Sequence, residues 1–185
     1  MKREIRLCGA GGQGLILAGI IIAEASIREG LNSLQSQSYG PEARGGASKA
    51  EVIVSDEEIF FPKVRKPNLL LALSQKAFDK YADELHEDAV VVIDEELAIN
   101  HSDNGHRIYR LPILSTASDK IGKAMVANIV ALGALSKLIP EIDRKNMLAA
   151  VLARVPRGTE ELNTTAFEEG EKLVAASSQH MTGLS

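Results

Sequence analysis

Two groups of residues in this sequence have the types and the spacing to form a binding surface. The first is a glycine-rich stretch near the amino terminus that satisfies the pattern G-x-G-x-x-G; its members are Gly9, Gly11, Gly12, Gln13 and Gly14. A glycine turn between a strand and a helix can bring free backbone N–H groups to an anion. The same glycines also let a strand, a turn and a helix pack closely. The pattern therefore predicts either a ligand site or a tightly packed turn.

The second group is a polar loop at residues 37–46, which lies between two segments of core character. It combines a tyrosine, a Pro-Glu pair, an arginine and three glycines; the candidate residues are Ser38, Tyr39, Gly40, Pro41, Glu42, Arg44, Gly45 and Gly46. Most connections in compact domains have about 4–6 residues, and shaped loops carry function more often than structure. We therefore predict that this loop presents a surface to a partner or a ligand.

The glycine turn lacks the companion residues of a dinucleotide site. Such a site has an acidic residue about 20 positions further on, at the end of the second strand, where it binds the ribose hydroxyls. Residues 32–37 contain neither Asp nor Glu, and no arginine is present there for a 2′-phosphate. Three interpretations stay open at this point: NAD or FAD, another phosphate-bearing ligand, and close packing or contact with a partner.

Composition narrows the class of protein. The 185 residues suffice for one domain with a hydrophobic core, and 45% of them are hydrophobic and 25% charged. The net charge of −4 gives no general attraction to nucleic acid or an anionic membrane. No apolar run approaches the roughly 18 residues of a membrane span, and the amino terminus lacks the order of a signal peptide. We expect a cytoplasmic protein with no nucleic-acid or membrane partner.

Apolar periodicity predicts strands that alternate with helices, and hence an α/β fold with a largely parallel sheet and a helical C-terminal part. The predicted strands are 3–8, 31–35, 48–55, 69–73, 89–94 and 107–111, and the predicted helices are 15–29, 75–85, 119–138, 143–153 and 159–176. Gly30 is the predicted end of the first helix, and Ser74 is the predicted N-cap of the second. Residues 1–176 form a single predicted domain, and 177–185 a flexible tail.

Other polar residues are weaker candidates. His101 and His106 flank a predicted Asp103–Asn104–Gly105 turn, but their spacing matches no firm metal pattern, so we predict no metal site. Asp94, Glu95 and Glu96 end a buried strand, where ligands gather in open α/β sheets, although a solvated acidic turn is the preferred interpretation. Asn128, on an apolar helix, needs a hydrogen-bond partner, for which a structural role is favoured.

Cys8 is the one cysteine of the chain. Because the chain has no second cysteine, it can form no internal disulfide, and it cannot hold an iron–sulfur cluster with four thiolates of its own. At the end of an apolar strand, Cys8 is predicted to be a buried small hydrophobe.

The two motifs, taken together, resemble the gamma subunit of the 2-oxoacid:ferredoxin oxidoreductases. The resemblance rests on residues 9–14, 37–46 and 48–56, and on 161–163 with 166–170 in the predicted last helix. It covers nearly the whole chain and implies a three-layer Rossmann-like sandwich. Such complexes oxidatively decarboxylate a 2-oxoacid, form an acyl-coenzyme A and pass two electrons to ferredoxin.

The resemblance implies a subunit that is inactive by itself. In the family, thiamine diphosphate with Mg²⁺ and the [4Fe–4S] clusters are held by other subunits. The implied partners are alpha and beta subunits, a delta ferredoxin-like subunit in some complexes, and ferredoxin as the electron acceptor. A homodimer through the apolar helices is also compatible with it. This chain is then scaffold and interface, with part of the approach of coenzyme A as a further role.

Residue roles and substrate follow from the same resemblance. Arg44 and Glu42 are predicted to form inter-subunit ion pairs near the active site, with exposure to solvent as the alternative. Tyr39 is a predicted interface anchor, or else packs on Pro41. The residue sequence of the loop resembles the 2-oxoglutarate branch of the family more than the pyruvate, ketoisovalerate and indolepyruvate branches, so 2-oxoglutarate is the favoured substrate. A stand-alone nucleotide-binding or ligand-sensing module is the rival hypothesis.

Overall fold

The computed structural model describes residues 1–39, 46–98 and 105–181. Its centre is a six-stranded sheet with the order β2-β3-β1-β4-β5-β6. The strands are β1 Lys2–Ala10, β2 Asn32–Tyr39, β3 Ala47–Ser55, β4 Leu69–Ala72, β5 Val90–Asp94 and β6 Arg107–Leu111. The pairs β1–β4, β4–β5 and β5–β6 are parallel. β3 runs antiparallel to both β1 and β2. The predicted α/β class with a largely parallel sheet is therefore confirmed.

The helices are α1 Leu15–Arg28, α2 Gln75–Tyr81, α3 Ile113–Ser115, α4 Ala127–Ser136, α5 Arg144–Arg154 and α6 Glu160–Met181. Two of their ends match the predicted signals. The Ala77 N–H donates to the Ser74 hydroxyl, so Ser74 caps α2 as predicted. Gly30 has φ +81° after α1, and the Gly30 and Leu31 N–H groups donate to Ile27 and Ser26, which is a Schellman ending.

Helices cover both faces of the sheet and give three layers. The large core lies between one face and helices α1, α4, α5 and α6, with Phe167, Ile21 and Leu135 among its fully buried side chains. A smaller core lies on the other face under α2 and contains Cys8, Leu70 and Phe78. Within the described ranges, no helix is both long enough and apolar enough to cross a membrane.

Four predicted boundaries are wrong. The second strand, predicted at 31–35, continues to Tyr39, so the first three residues of the predicted 37–46 loop belong to β2. The helix predicted at 119–138 is broken at Gly122, whose φ of +76° lies in the left-handed region, and α4 begins only at Ala127. A π-helical turn, Thr116–Lys120, precedes the break, and a 3₁₀ turn, Ala124–Val126, follows it. The helix predicted at 159–176 continues to Met181 as α6. The helix predicted at 75–85 ends at Tyr81.

Candidate functional site

The glycine turn lies at the edge of the sheet where the parallel strands end. Gly9 and Ala10 are the last residues of β1, and Gly11 and Gly12 are exposed beyond them. β3 begins beside this end of β1, because Ala47 pairs with Ala10. In open α/β sheets, ligands bind outside the carboxyl ends of the strands. The fold therefore brings the first predicted site to an edge suited to recognition.

Gln13 is committed to packing within the turn. Its side-chain oxygen accepts a hydrogen bond from the Ala10 N–H at 2.7 Å, and its side-chain nitrogen donates to the Leu73 carbonyl at 3.1 Å. A Cβ at Gly9 would lie 2.3 Å from that oxygen, so only glycine leaves room for the bridge. Gln13 thus ties the turn to the end of β4 and explains why residue 9 is glycine.

Gly14 and Asn128 form a second internal contact. Gly14 caps α1 with φ +73°, and a Cβ there would lie 2.6 Å from the Asn128 side-chain nitrogen. That nitrogen donates to the Gly14 carbonyl at 3.2 Å, and Asn128 is 5% exposed. The favoured structural role of Asn128 is therefore confirmed, since it anchors the start of α4 to the glycine turn.

The structure joins the glycine turn to the predicted functional loop. The Gly11 N–H donates to the Gly46 carbonyl at 3.0 Å, and the Ser48 hydroxyl donates to the Gly9 carbonyl at 3.3 Å. On the other side of the loop, Ser38 and Tyr39 are the last residues of β2 and pair with Lys49 and Ser48. Both ends of the loop therefore meet at the edge that carries the turn.

The central residues of the loop lie outside the described residues. They are Gly40, Pro41, Glu42, Ala43, Arg44 and Gly45. The predicted roles of Glu42 and Arg44 in ion pairs, and of Tyr39 as an anchor, stay predictions.

The topology removes the place where a dinucleotide ribose would bind. In a dinucleotide fold the second strand lies beside the first, so its acidic end is close to the glycine turn. Here β3 lies between β1 and β2. The end of β2 is therefore two strand spacings, roughly 10 Å, from β1. Together with the absence of an acidic residue in 32–37, this arrangement argues against NAD or FAD.

The turn retains limited capacity to bind an anion. The N–H groups of Ala10, Gly11 and Gln13 donate to Gln13, Gly46 and Ala10, respectively. Close packing therefore accounts for Gly9, Gln13 and Gly14, while Gly11 and Gly12 supply the exposed backbone. Gly12 has φ +93°, and a Cβ added there would meet no atom within 4 Å. Position 12 therefore favours glycine because of its backbone conformation and not because a neighbour leaves no room.

The interpretation of residues 94–96 as a solvated turn holds for Glu95 and Glu96 but is wrong for Asp94, which is buried. It is 1% exposed, and its two carboxylate oxygens accept from the Glu96 and Leu114 N–H groups at 3.1 and 2.8 Å. Glu95 and Glu96 are exposed. Asp94 therefore fastens the end of β5 to the first turn of α3.

The histidines form no cluster in the described part of the chain. His86 Nδ1 accepts from the Asp88 N–H at 3.2 Å. His101 and Asp103 lie outside the described residues, whereas His106 directly precedes β6. Among the described residues, no group of three or more His, Cys, Asp or Glu side chains could hold a metal ion.

We expect Cys8 to be chemically inert in the folded protein. Burial raises the pKa of its thiol to about 12, from an ordinary 9.0. At pH 8 the thiolate fraction then falls by roughly a factor of 1,000, and only the thiolate reacts. Iodoacetamide labelling followed by mass spectrometry should modify Cys8 in guanidinium but not in buffer. Rapid stoichiometric labelling of the native chain would contradict this environment.

Comparison with known proteins now identifies the family. Residues 4–173 match the family described as pyruvate ferredoxin/flavodoxin oxidoreductase. The chain belongs to this family. It is 49% identical over 173 residues, 92% of each chain, to 2-oxoglutarate synthase subunit KorC of Methanocaldococcus jannaschii. The resemblance to the oxidoreductase gamma subunits is thereby confirmed, and the chain is a subunit of an oxidoreductase complex.

Solved structures of the family share the fold. The gamma subunit of a keto/oxoacid ferredoxin oxidoreductase from Geobacter sulfurreducens PCA aligns with a TM-score of 0.87 and 44% identity, covering 96% of this chain and 98% of that one. The 2-oxoglutarate:ferredoxin oxidoreductase from Magnetococcus marinus aligns with a TM-score of 0.83 and 25% identity. There the match covers 95% of this chain and 31% of the longer one, so the gamma fold corresponds to one part of a larger polypeptide.

Sequence reasoning missed a buried charge cluster under α2, formed by Arg6, Lys49 and Glu51. Arg6 and Glu51 are 8% and 9% exposed, and Arg6 Nε donates to Glu51 Oε1 at 2.8 Å. These three charged residues alternate with apolar residues along β1 and β3, a pattern that does not by itself indicate burial. The signal that could have found the cluster is the opposite charge of residues that pair across the two strands, since Arg6 lies opposite Glu51.

Proposed function

We propose that this chain is the gamma subunit of a thiamine diphosphate-dependent 2-oxoglutarate:ferredoxin oxidoreductase. In such a complex 2-oxoglutarate is oxidatively decarboxylated to the acyl-coenzyme A, and electrons pass to ferredoxin. The likeness to a KorC subunit over 92% of both chains carries the proposal. The Magnetococcus relative, whose structure holds 2-oxoglutarate, coenzyme A and succinyl-CoA, supports the same substrate.

This chain contributes scaffold and interface rather than redox groups. Thiamine diphosphate stabilises the carbanion of the decarboxylation in enzymes that use it, and Mg²⁺ and [4Fe–4S] clusters complete the implied set. The residues described here do not fit the clusters, because the single thiol, Cys8, is fully buried and holds its proton. All of these groups therefore belong to other subunits in the proposed complex.

The proposed contact with the active site is the edge that carries the glycine turn and the ends of the 37–46 loop. Exposed Gly11 and Gly12 keep this surface free of side chains, and the Gly11–Gly46 hydrogen bond ties the loop to it. Arg44 can form a bidentate pair with a carboxylate or phosphate. We propose that alpha and beta subunits meet this edge, and that coenzyme A approaches along it.

The first test is a tagged pull-down of the chain from its native cell extract without oxygen. We expect alpha and beta subunits, with or without a ferredoxin-like delta subunit, to co-purify. The recovered complex should reduce a viologen dye when 2-oxoglutarate and coenzyme A are added together. Faster reduction with pyruvate would refute the proposed substrate while leaving the family intact. A lone chain that binds NAD or an adenine nucleotide would instead favour a stand-alone nucleotide module.

Replacement of Arg44 by Ala tests the loop. Loss of a charge-assisted contact costs about 1.5–3 kcal/mol, a factor of roughly 10–150 in affinity or rate. We expect Arg44→Ala either to reduce the recovery of alpha and beta subunits or to raise the KM for coenzyme A. Arg157→Ala, on the exposed turn before α6, is the matched control. Wild-type recovery, turnover and KM in Arg44→Ala would remove Arg44 from the proposal.

A further inference from the structure

A second surface lies at the opposite edge of the sheet, on residues 56–66, which we call the β3–β4 loop. It carries three kinds of side chain in order along the chain. Acidic residues come first, then aromatic residues, then basic residues: Asp56, Glu57 and Glu58, Phe60 and Phe61, and Lys63, Arg65 and Lys66. Neither the proposed substrate chemistry nor the glycine-turn edge uses any of them.

The aromatic centre of the loop is exposed to solvent. Phe60 is 84% exposed and Phe61 is 43% exposed, whereas Phe167 is fully buried and Phe78 is 7% exposed. Met1, 45% exposed, lines the same recess as the two phenylalanines. Contiguous exposed apolar surface of this kind marks an interaction site. An aromatic side chain at the centre of a contact is the usual energetic anchor of an interface.

Recesses of opposite charge flank Phe61. One, of about 320 Å³, is lined by Glu57 and Glu58 together with Phe60 and Phe61. The other, of about 750 Å³, is lined by Phe61 together with Lys63, Arg65 and Lys66. Phe61 is therefore the boundary between an acidic and a basic half of one surface.

The other charges of these recesses are paired or stand at the edge of the basic recess. The N-terminal ammonium of Met1, in the acidic recess, contacts Asp56 at 2.5 Å, so Glu57 and Glu58 supply the negative charge of that recess. Lys2, in the acidic recess, contacts Glu4 at 2.6 Å, and Arg6, in the basic recess, contacts Glu51 at 2.8 Å. Glu84 stands at the edge of the basic recess. Three basic side chains against one acidic side chain leave that recess with positive charge.

Both ends of the loop are fixed to the sheet. At the acidic end, the Glu57 N–H donates to the Ser55 hydroxyl at 3.0 Å, and the Glu57 carbonyl accepts from the Asn32 side chain at 3.1 Å. At the basic end, the Arg65 N–H donates to a Glu4 carboxylate oxygen at 2.9 Å. The Arg65 guanidinium also lies 4.1 Å from the centre of the Phe61 ring. Such preorganisation lowers the entropic cost of association.

We propose that the β3–β4 loop is a two-fold interface between two copies of this chain. An isologous interface must be self-complementary, because each residue i that contacts j is matched by j contacting i. A two-fold axis through the phenylalanines brings the acidic half of each copy onto the basic half of the other. The apolar helices do not offer a rival surface in α4, since residues 127–135 are all buried within their own chain.

The interface is tested first by sedimentation equilibrium on the full isolated chain. We expect a dimer whose dissociation constant rises about 30-fold in Phe60→Ala, the effect of removing a central aromatic anchor. The variants Glu57→Lys/Glu58→Lys and Lys63→Glu/Lys66→Glu should each weaken self-association by at least about tenfold. An equimolar mixture of these two variants should form a heterodimer, since the reversed charges again complement each other.

Two matched controls separate a local effect from a change of net charge. Lys145→Glu/Arg157→Glu and Glu95→Lys/Glu96→Lys alter exposed residues elsewhere by the same number of charges. Both should dimerise as the wild type does. A monomeric wild-type chain, a dimer that Phe60→Ala leaves unchanged, or a mixture of the charge-reversed variants that fails to associate would each overturn the proposal.

Disulfide cross-linking tests the same contact in the assembled complex, whether or not the isolated chain stays soluble. Because Cys8 is buried, Phe60→Cys introduces a surface thiol with no competitor in this chain. Mild oxidation should give a covalent dimer of the chain. Met125→Cys, 81% exposed in the 3₁₀ turn before α4, is the control and should not cross-link to itself. Cross-linking of position 60 to another subunit or to ferredoxin would overturn the proposal and leave the proposed function unaffected.

Discussion

Gly133→Ala is expected to destabilise this protein by at least about 3 kcal/mol, at the upper end of the cost of overpacking a core. A Cβ at Gly133 would lie 1.9 Å from the Phe167 carbonyl oxygen in α6. The contact is reciprocal, because a Cβ at Gly170 would lie 1.9 Å from the Val130 carbonyl oxygen in α4. The obstructing atoms are backbone atoms of packed helices, so no side-chain rotation can relieve the clash.

Thermal unfolding of Gly133→Ala and Gly170→Ala measures this effect. A loss of about 3 kcal/mol corresponds to a fall in Tm of roughly 10 °C for a domain of this size. Gly19→Ala is the comparison within a helix, because its Cβ would lie 3.1 Å from the Ala50 Cβ, a side-chain atom. The higher helix propensity of alanine offsets that tight contact, so the Tm of Gly19→Ala should stay near the wild-type value. Equal Tm values for the three variants would refute the close approach of α4 and α6.

Glu51→Ala is expected to cost about 3–5 kcal/mol, because it leaves a buried cation without its counter-charge. Glu51 Oε1 accepts from Arg6 Nε at 2.8 Å and lies 3.0 Å from Lys49 Nζ. The Arg6 guanidinium also donates to the Tyr81 carbonyl at 3.0 Å, at the end of α2. Loss of the carboxylate should therefore loosen both the β1–β3 pairing and the seat of α2.

Urea unfolding of Glu51→Ala and of the double variant Arg6→Leu/Glu51→Leu separates charge from packing. The double variant removes both charges and should recover much of the lost stability, as apolar replacement of buried ion pairs often does. Glu24→Ala is the surface control, since Arg154 contacts Glu24 in an exposed pair whose loss should cost less than about 1 kcal/mol. If Glu51→Ala and Glu24→Ala are equally mild, the buried cluster does not carry the stability assigned to it.

Local signals in the sequence were sufficient for most of the secondary structure. The apolar runs at β4 and β5, the hydroxyl of Ser74 and the glycine at position 30 act within a few residues of themselves. The structure places the predicted elements accordingly. The family resemblance depended on the same kind of signal, since the glycine turn, the 37–46 loop and the following strand are contiguous motifs. The residue sequences of these motifs were enough to indicate an oxidoreductase gamma subunit.

Local signals failed where neighbours far along the chain decide the conformation. The apolar part of the predicted helix at 119–138 begins at Ala124, and its periodicity did not reveal the break at Gly122, whose φ is +76°. The extension of α6 to Met181 likewise follows no periodicity visible at its end. Asp94 had the sequence context of a solvated turn, and only the position of α3 beside β5 provides the N–H group that holds it buried.

The sequence by itself determined the fold class, the strand and helix order and the family, because these depend on local propensity and contiguous motifs. Only the tertiary structure decided which strand lies beside β1, and that choice of β3 removes the ribose position of a dinucleotide site. It also decided that Gln13 faces inward and that Gly11 holds Gly46. These contacts join residues more than 30 positions apart, and hydrogen-bond geometry and excluded volume across such distances are not encoded in any local pattern.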